Sequence, residues 1–291
     1  MTSRTNHNNP DNNGHFDLTY HYEMLADNAR IQPIKESIQR TCKGKVVLES
    51  GTGSGLLSIL AAKAGATRVY AVETDPQMAA FARKNISNNG LEDIIELIEG
   101  DSRKLTPEDL DHRKVDVIIA ENLSTWQVTE PQIPIMNHLC RFLKEDGVAI
   151  PGRVSNYFEL AESKFAFEDS IVLRTHYFQF SGIQPPVQLS EKVLFSTLEF
   201  ARENPAHFHG SLPVTVSRDG ILNSLRLTSP VRFAEDIGFG SSDSLMPPVV
   251  VPLANDLPVK RGDTVRVELK YAAHSRWPDF YAAAFLEKPE E

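Results

Sequence analysis

Residues 46–73, VVLESGTGSGLLSILAAKAGATRVYAVE, constrain the fold more than any other stretch. An apolar strand runs into a glycine-rich bend, then an alanine-rich helix, a second apolar strand and a carboxylate. This order builds a βαβ unit, whose strands lie parallel and whose ligand site forms at their carboxyl edge. Gly51, Gly53 and Gly55 let the backbone bend sharply and approach a ligand closely. Glu73 closes the second strand, 22 residues after Gly51. A carboxylate there can accept from both ribose hydroxyls, and an ionised acceptor makes the stronger bond. The expected ligand is therefore a nucleoside-bearing cofactor.

A dinucleotide site carries G-x-G-x-x-G. Here the spacing is Glu49-x-Gly51-x-Gly53-x-Gly55, with Leu56 at the sixth position of the dinucleotide frame. The strict alternation and the preceding acid resemble the first motif of class I S-adenosylmethionine-dependent methyltransferases, which implies that Glu49 and the three glycines bind that cofactor. Ile94–Asp101 (IIELIEGD) reads as a third strand ending in an acid. Asp101 can accept from an adenine amino group, with Ser102 beside it. The competing readings are an NAD fold or a bare βαβ core, and the agreement of three elements in order and spacing disfavours both.

The chain has 291 residues, enough for one large core or two. It has no apolar run of about 18 residues and no apolar segment at its start, so neither a membrane span nor a signal peptide is expected. The Asn-rich residues 1–14 read as a disordered tail. Cys42 and Cys140 show neither metal spacing nor a disulfide framework, as in a cytoplasmic protein. A net charge of −9 argues against a phosphate-tracking surface and so against bulk nucleic acid, and it favours a small or cationic acceptor. Walker, serine-nucleophile and zinc motifs are absent. His207-Phe-His209 is a metal-like pair without a third ligand nearby, which reads as an ordinary pair of loop histidines.

Residues 15–150 alternate helix and strand. A helical pattern over His15–Thr41 is expected to kink or restart at Pro33. Strands are predicted at Val46–Glu49, Arg68–Val72, Ile94–Glu99, Val115–Ala120 and Val148–Ile150. Helices are predicted at Leu56–Ala64, Pro76–Asn85 and Ile133–Leu143, and Glu145-Asp146-Gly147 reads as a turn. From 151 to 291 the period becomes two, with strands at Ser155–Ala161, Val193–Phe200, Leu212–Ser217, Leu222–Leu227, Val249–Leu253 and Thr264–Tyr271. The fold class expected is an α/β doubly wound, Rossmann-like domain followed by a β-barrel or sandwich domain.

Val115–Ala120 is nearly all apolar, as a strand buried on both faces must be. It ends at Glu121, where ligands bind in such sheets. Glu130 follows across the loop ENLSTWQVTE. A returning loop can aim both carboxylates at one point, which suits the forked donors of a guanidinium. Trp126 within the loop is either a wall of the acceptor pocket or a loop anchor.

At this point the chain resembles the protein arginine methyltransferases. Glu121 and Glu130 match that family's double-E loop, and His21–Arg30 (HYEMLADNAR) looks like its cofactor-capping helix. The resemblance implies that Arg30 meets the cofactor's methionine carboxylate and that Glu73 holds the ribose. Tyr20, a candidate substrate-binding residue, reads as a lid residue or, alternatively, as part of the core. The resemblance also implies methyl transfer to a guanidino nitrogen of a protein arginine, free arginine or another small guanidine. The alternatives are a methyltransferase of an unrelated acceptor and a cofactor-binding protein without catalysis. The chain also departs from the family. Asp243–Pro252 (DSLMPPVVVP) lacks the barrel-loop histidine and tryptophan, for which His274 and Trp277 stand one strand later. Residues 160–195 show no long amphipathic helix, so a homodimer, if formed, is not expected to use the family's helical arm.

Overall fold

The computed structural model describes residues 18–168 and 170–287, so the expected tail at 1–14 lies outside the described residues. The chain divides into two compact units. One comprises the chain through Glu121 together with His138–Pro151 and Phe233–Phe239. The other comprises Asn122–Asn137, Gly152–Arg232 and the chain from Gly240 onward.

The first unit is built on a five-stranded parallel sheet. Its strands β1 (Val46–Ser50), β2 (Arg68–Glu73), β3 (Ile95–Glu99), β4 (Val115–Ala120) and β5 (Leu143–Ile150) lie in the order β3-β2-β1-β4-β5. The order turns back beside β1, so β1 and β4 are neighbours and Ser50 pairs with Ala120 at their carboxyl ends. Such a reversal point is where doubly wound sheets bind ligands. Val47, Leu48 and Val69–Val72 are all at most about 1% exposed, which explains the unbroken apolar runs.

Two N-terminal helices, α1 (Leu18–Ala26) and α2 (Asn28–Thr41), precede the sheet. The helical pattern expected over His15–Thr41 is interrupted at Asp27. The Asp27 carboxylate caps α2 by accepting from the Arg30 N–H. Pro33 lies inside α2, where it forgoes one hydrogen bond to Ala29. Helices α3 (Leu56–Lys63) and α4 (Pro76–Asn88) pack on the sheet, and α4 is capped by the Asp75 carboxylate. The expected turn at Glu145–Gly147 is instead a bulge within β5, since its pairing with β4 jumps from Leu143 to Val148.

The second unit is antiparallel. A long strand, β6 (Arg153–Glu162), pairs with Val193–Glu199 and with Gly220–Thr228, which in turn pairs with Val249–Val259. A separate three-stranded sheet joins His207–Thr215, Thr264–Ala272 and Tyr281–Leu286. This last strand is absent from the sequence reading. The core centres on Trp126, which is fully buried and stacks on Phe195 with centroids 5.0 Å apart. Tyr271 and Phe280 close on it at 5.6 Å.

Candidate active site

The three glycines of the bend all occupy the left-handed region, with φ of +72° at Gly51, +56° at Gly53 and +89° at Gly55. A side chain would oppose this conformation by about 1–2 kcal/mol per residue. The bend folds back on β2, where the N–H groups of Gly51 and Thr52 both donate to the Val72 carbonyl. Glu73, at the end of β2, is buried; its Oε2 accepts from Gly53 N–H at 2.7 Å and its Oε1 from Asp75 N–H at 2.9 Å. The carboxylate is thus fixed by backbone donors, and each oxygen keeps a lone pair for a hydroxyl.

Glu49 lies deeper, 1% exposed, and accepts from the hydroxyls of Thr52 and Ser58. Burial pushes its carboxyl up to about 7, the two hydroxyls oppose that, and the nearby Glu73 charge adds to it. Glu49 therefore braces the bend from behind. Ser102 is buried, and its hydroxyl oxygen accepts from Ser50 at 2.7 Å, tying the end of β3 to the end of β1. Asp101 is engaged differently from expectation. It accepts from the N–H, Nε and Nη2 of Arg103, and that guanidinium holds its carboxyl below the usual range. An adenine amino group would have to share this carboxylate.

Arg30, near the start of α2, is 7% exposed, and its Nη2 donates to Glu121 Oε2 at the end of β4. The two side chains are 9% and 8% exposed, so this ion pair is nearly out of water. A guanidinium of the chain itself therefore rests on the acid expected to take an acceptor's guanidinium. Tyr20 lies on α1, and its side chain is outside the described residues.

Glu130 belongs to the second unit. Its loop is wound on polar side chains. Ser124 Oγ accepts from the N–H groups of Thr129 and Glu130, and the buried Gln132 accepts from Asn122 N–H at 2.9 Å. Trp126 and Gln127 adopt left-handed backbone, φ +58° and +53°. Non-glycine residues hold that conformation only where their surroundings impose it, and they concentrate at functional sites. Here Trp126 N–H donates to Ser229 Oγ and Nε1 to the Tyr157 carbonyl. Ser229 in turn donates to Asn156. Trp126 is therefore a loop anchor; with no exposed surface it cannot wall an acceptor pocket, which corrects the substrate-binding expectation for it.

His274 lies against the same loop. Its N–H donates to the Gln127 carbonyl at 3.1 Å and its ring Nδ1 lies 3.2 Å from the Thr129 carbonyl. Ser275 N–H donates to the Val128 carbonyl. The segment thus splints the backbone leading into Glu130. The carboxyl of Glu130 is largely buried and, among the described residues, has no ion-pair partner; burial alone pushes it up to about 7. Sequence reading missed Ser124, Gln127, Gln132, Asn156 and Ser229. Their polar character was visible, but their roles depend on burial that short-range pattern does not report.

The ribosomal protein L11 methyltransferase (PrmA) family matches residues 31–154. An uncharacterized protein of Methanocaldococcus jannaschii is 31% identical over 87% of this chain and 91% of its own. The arginine N(omega)-methyltransferase of Streptomyces achromogenes subsp. streptozoticus is 29% identical over 90% of this chain and 76% of its own. Protein arginine N-methyltransferase 1.1 of Arabidopsis thaliana is 35% identical over 55% of this chain and 41% of its own. The crystal structure of Arabidopsis thaliana protein arginine methyltransferase 10 superposes with a TM-score of 0.74 at 21% identity, covering 94% of this chain and 98% of that one. The Trypanosoma brucei PRMT1 enzyme–prozyme heterotetrameric complex with AdoHcy gives 0.73 at 18%, covering 92% and 98%.

Together these comparisons support a class I S-adenosylmethionine-dependent methyltransferase that is similar to the arginine methyltransferases. Its fold, a Rossmann-like core with an antiparallel barrel-type domain, is that of these structures. Its cofactor is S-adenosylmethionine, and the residues at the ends of β1 and β2 fit it. The three glycines of the bend carry no side chain, and beside them the Glu73 carboxylate is buried and fixed by backbone N–H groups. Among the described residues no helix is long and apolar enough to cross a membrane, and no cluster of His, Cys, Asp and Glu is suited to a metal.

Proposed function

We propose that this methyltransferase methylates a guanidino nitrogen of arginine. The observation that carries the reading is Glu130: a largely buried carboxyl without a counter-charge among the described residues, at the end of a loop with left-handed backbone, whereas the buried Glu49, Glu73 and Glu159 each have hydrogen-bond or ion-pair partners. A buried acid of this kind costs stability unless a cation arrives to use it.

When bound, S-adenosylmethionine supplies an electrophilic methyl group on its sulfonium. The work of the chain is to hold and orient. Gly51, Gly53 and Gly55 admit the methionine half, Glu73 holds the ribose, and Asp101 and Ser102 border the adenine. Arg30 neutralises the cofactor's carboxylate. Glu121 and Glu130 receive the guanidinium and fix one nitrogen in line with the methyl group. Their charges draw positive character away from that nitrogen and leave its lone pair more available. The sequence likeness to an arginine N(omega)-methyltransferase covers 90% of this chain, and the structural likeness to a protein arginine methyltransferase covers 94%. Free arginine or another small guanidine and a protein arginine are therefore alternative acceptors within the same chemistry.

One observation supports a rival. Glu121 already holds a cation, Arg30, and a methyltransferase of an unrelated acceptor could keep that pair as structure. Labelled cofactor with L-arginine, arginine peptides and non-guanidine amines separates the two. Label on a guanidino nitrogen supports the proposal; label on amines alone, undiminished in Glu121→Gln, defeats it.

A further inference from the structure

The second unit carries an open cleft of about 850 Å³ to which neither the cofactor nor the paired acids lay claim. It lies on the outer face of the three-stranded sheet, and register explains its chemistry. His209 pairs directly with Lys270, and Lys270 with Tyr281. Directly opposed residues on one sheet face have Cβ atoms about 5 Å apart. An imidazole, an ammonium and a phenol therefore form one row across three strands, and His207 joins from two residues along the first strand. All four are exposed. Lys270 has no ion-pair partner among the described residues, in a chain whose net charge is −9. The acid at the rim, Asp279, is taken by Arg276 at 3.1 Å. Beneath the row lie Phe208 and Tyr271, stacked 4.7 Å apart, which give the cleft a rigid floor.

We propose that this cleft is an oxyanion-binding site for a carboxylate or a phosphate. Lys270 supplies the charge, His209 and His207 flank it as donors, and Tyr281 completes the row with its hydroxyl. An ammonium with neighbouring donors makes charge-assisted bonds to such groups. One lining residue ties the cleft to the acid loop: Ser275, whose N–H donates to the Val128 carbonyl, two residues before Glu130. An anion carried by the acceptor itself, such as the α-carboxylate of free arginine, would thus be read beside the loop that reads its guanidinium; this second clause rests on the proposed function, the first does not.

The test uses the full chain, with inorganic phosphate titrated against the imidazole NMR resonances of His207 and His209. The expected result is a saturable shift of both rings that Lys270→Ala weakens about ten-fold, as loss of one charge-assisted bond would. No saturable shift, or equal affinity in Lys270→Ala, overturns the site. A second arm compares kcat/KM for L-arginine with that for agmatine, which lacks the carboxylate. If the anion is the acceptor's, the preference for arginine shrinks about ten-fold in His209→Ala/Lys270→Ala. If the preference is unchanged while phosphate binding is lost, the site stands with free phosphate as its ligand. Should the wild type methylate no guanidine, the acceptor reading falls, and the imidazole titration alone still decides the cleft.

Discussion

The glycine bend after β1 and the acid loop after β4 both bear carboxylates that sequence alone marks for function, yet they are held in opposite ways. In the bend every acid is satisfied from within: Glu49 by two hydroxyls, Glu73 by two backbone N–H groups. In the acid loop the backbone is fixed by Ser124, Trp126 and His274, but among the described residues the carboxyls have no such backbone donors. Glu121 has the buried guanidinium of Arg30, and Glu130 has no ion-pair partner among the described residues. Under the proposed function, the bend would be preorganised for the cofactor that every turnover uses, and the acids would take a cation that comes and goes.

This contrast is broken most readily at the acids. Glu121→Gln should lower kcat/KM by about a thousand-fold, about 4 kcal/mol of transition-state stabilisation. Cofactor affinity, measured by calorimetry, should change little. A comparable loss of cofactor affinity would mean that the two regions are not separable.

The next largest effect is on pH. Glu130 must be ionised to take a guanidinium, and burial has raised it to about 7. The pH profile of kcat/KM should therefore climb about ten-fold per unit below 7 and flatten above it. The stability sign runs the other way. A carboxyl raised from its ordinary 4.5 to about 7 contributes stability that is complete below 4.5 and is lost as pH rises through 7. Glu130→Gln should accordingly raise the melting temperature at pH 8 and leave it nearly unchanged at pH 4.

Within the bend, Gly53→Ala forces a side chain onto a left-handed backbone and disturbs the donor to Glu73. Cofactor Kd should rise about ten-fold, for about 1–2 kcal/mol of strain. The Kd for the acceptor, measured on a ternary complex with saturating cofactor analogue, should hold steady. The smallest effect expected is at His274. Removing the ring in His274→Ala takes one hydrogen bond from the Thr129 carbonyl, worth about 1 kcal/mol. It should raise the acceptor KM several-fold and leave cofactor binding untouched.

Much of this was legible in the sequence, and unevenly so. The parallel sheet was readable because strands buried on both faces must be apolar throughout, as Val115–Ala120 is. The bend was readable because only glycine adopts its backbone cheaply. Tyr281–Leu286 was not readable, since YAAAFL has neither the alternation nor the β-branched residues that announce a strand. β5 hid within KEDG because a bulge looks like a turn in sequence. The left-handed Trp126 and Gln127 carry no glycine to reveal them. Two facts about the acids were beyond any local reading. The Arg30–Glu121 pair spans 91 residues, and the solitude of Glu130 is a property of everything folded around it.

The central claim is that Glu121 and Glu130 serve a guanidinium. The most direct measurement is mass and NMR analysis of the product formed from isotopically labelled cofactor and L-arginine or arginine peptides, by the wild type and by Glu130→Gln at pH 8. The account predicts label on a guanidino nitrogen with the wild type and almost none with the variant, while both bind cofactor equally. Undiminished guanidino methylation by Glu130→Gln, or label on any other atom, would contradict it.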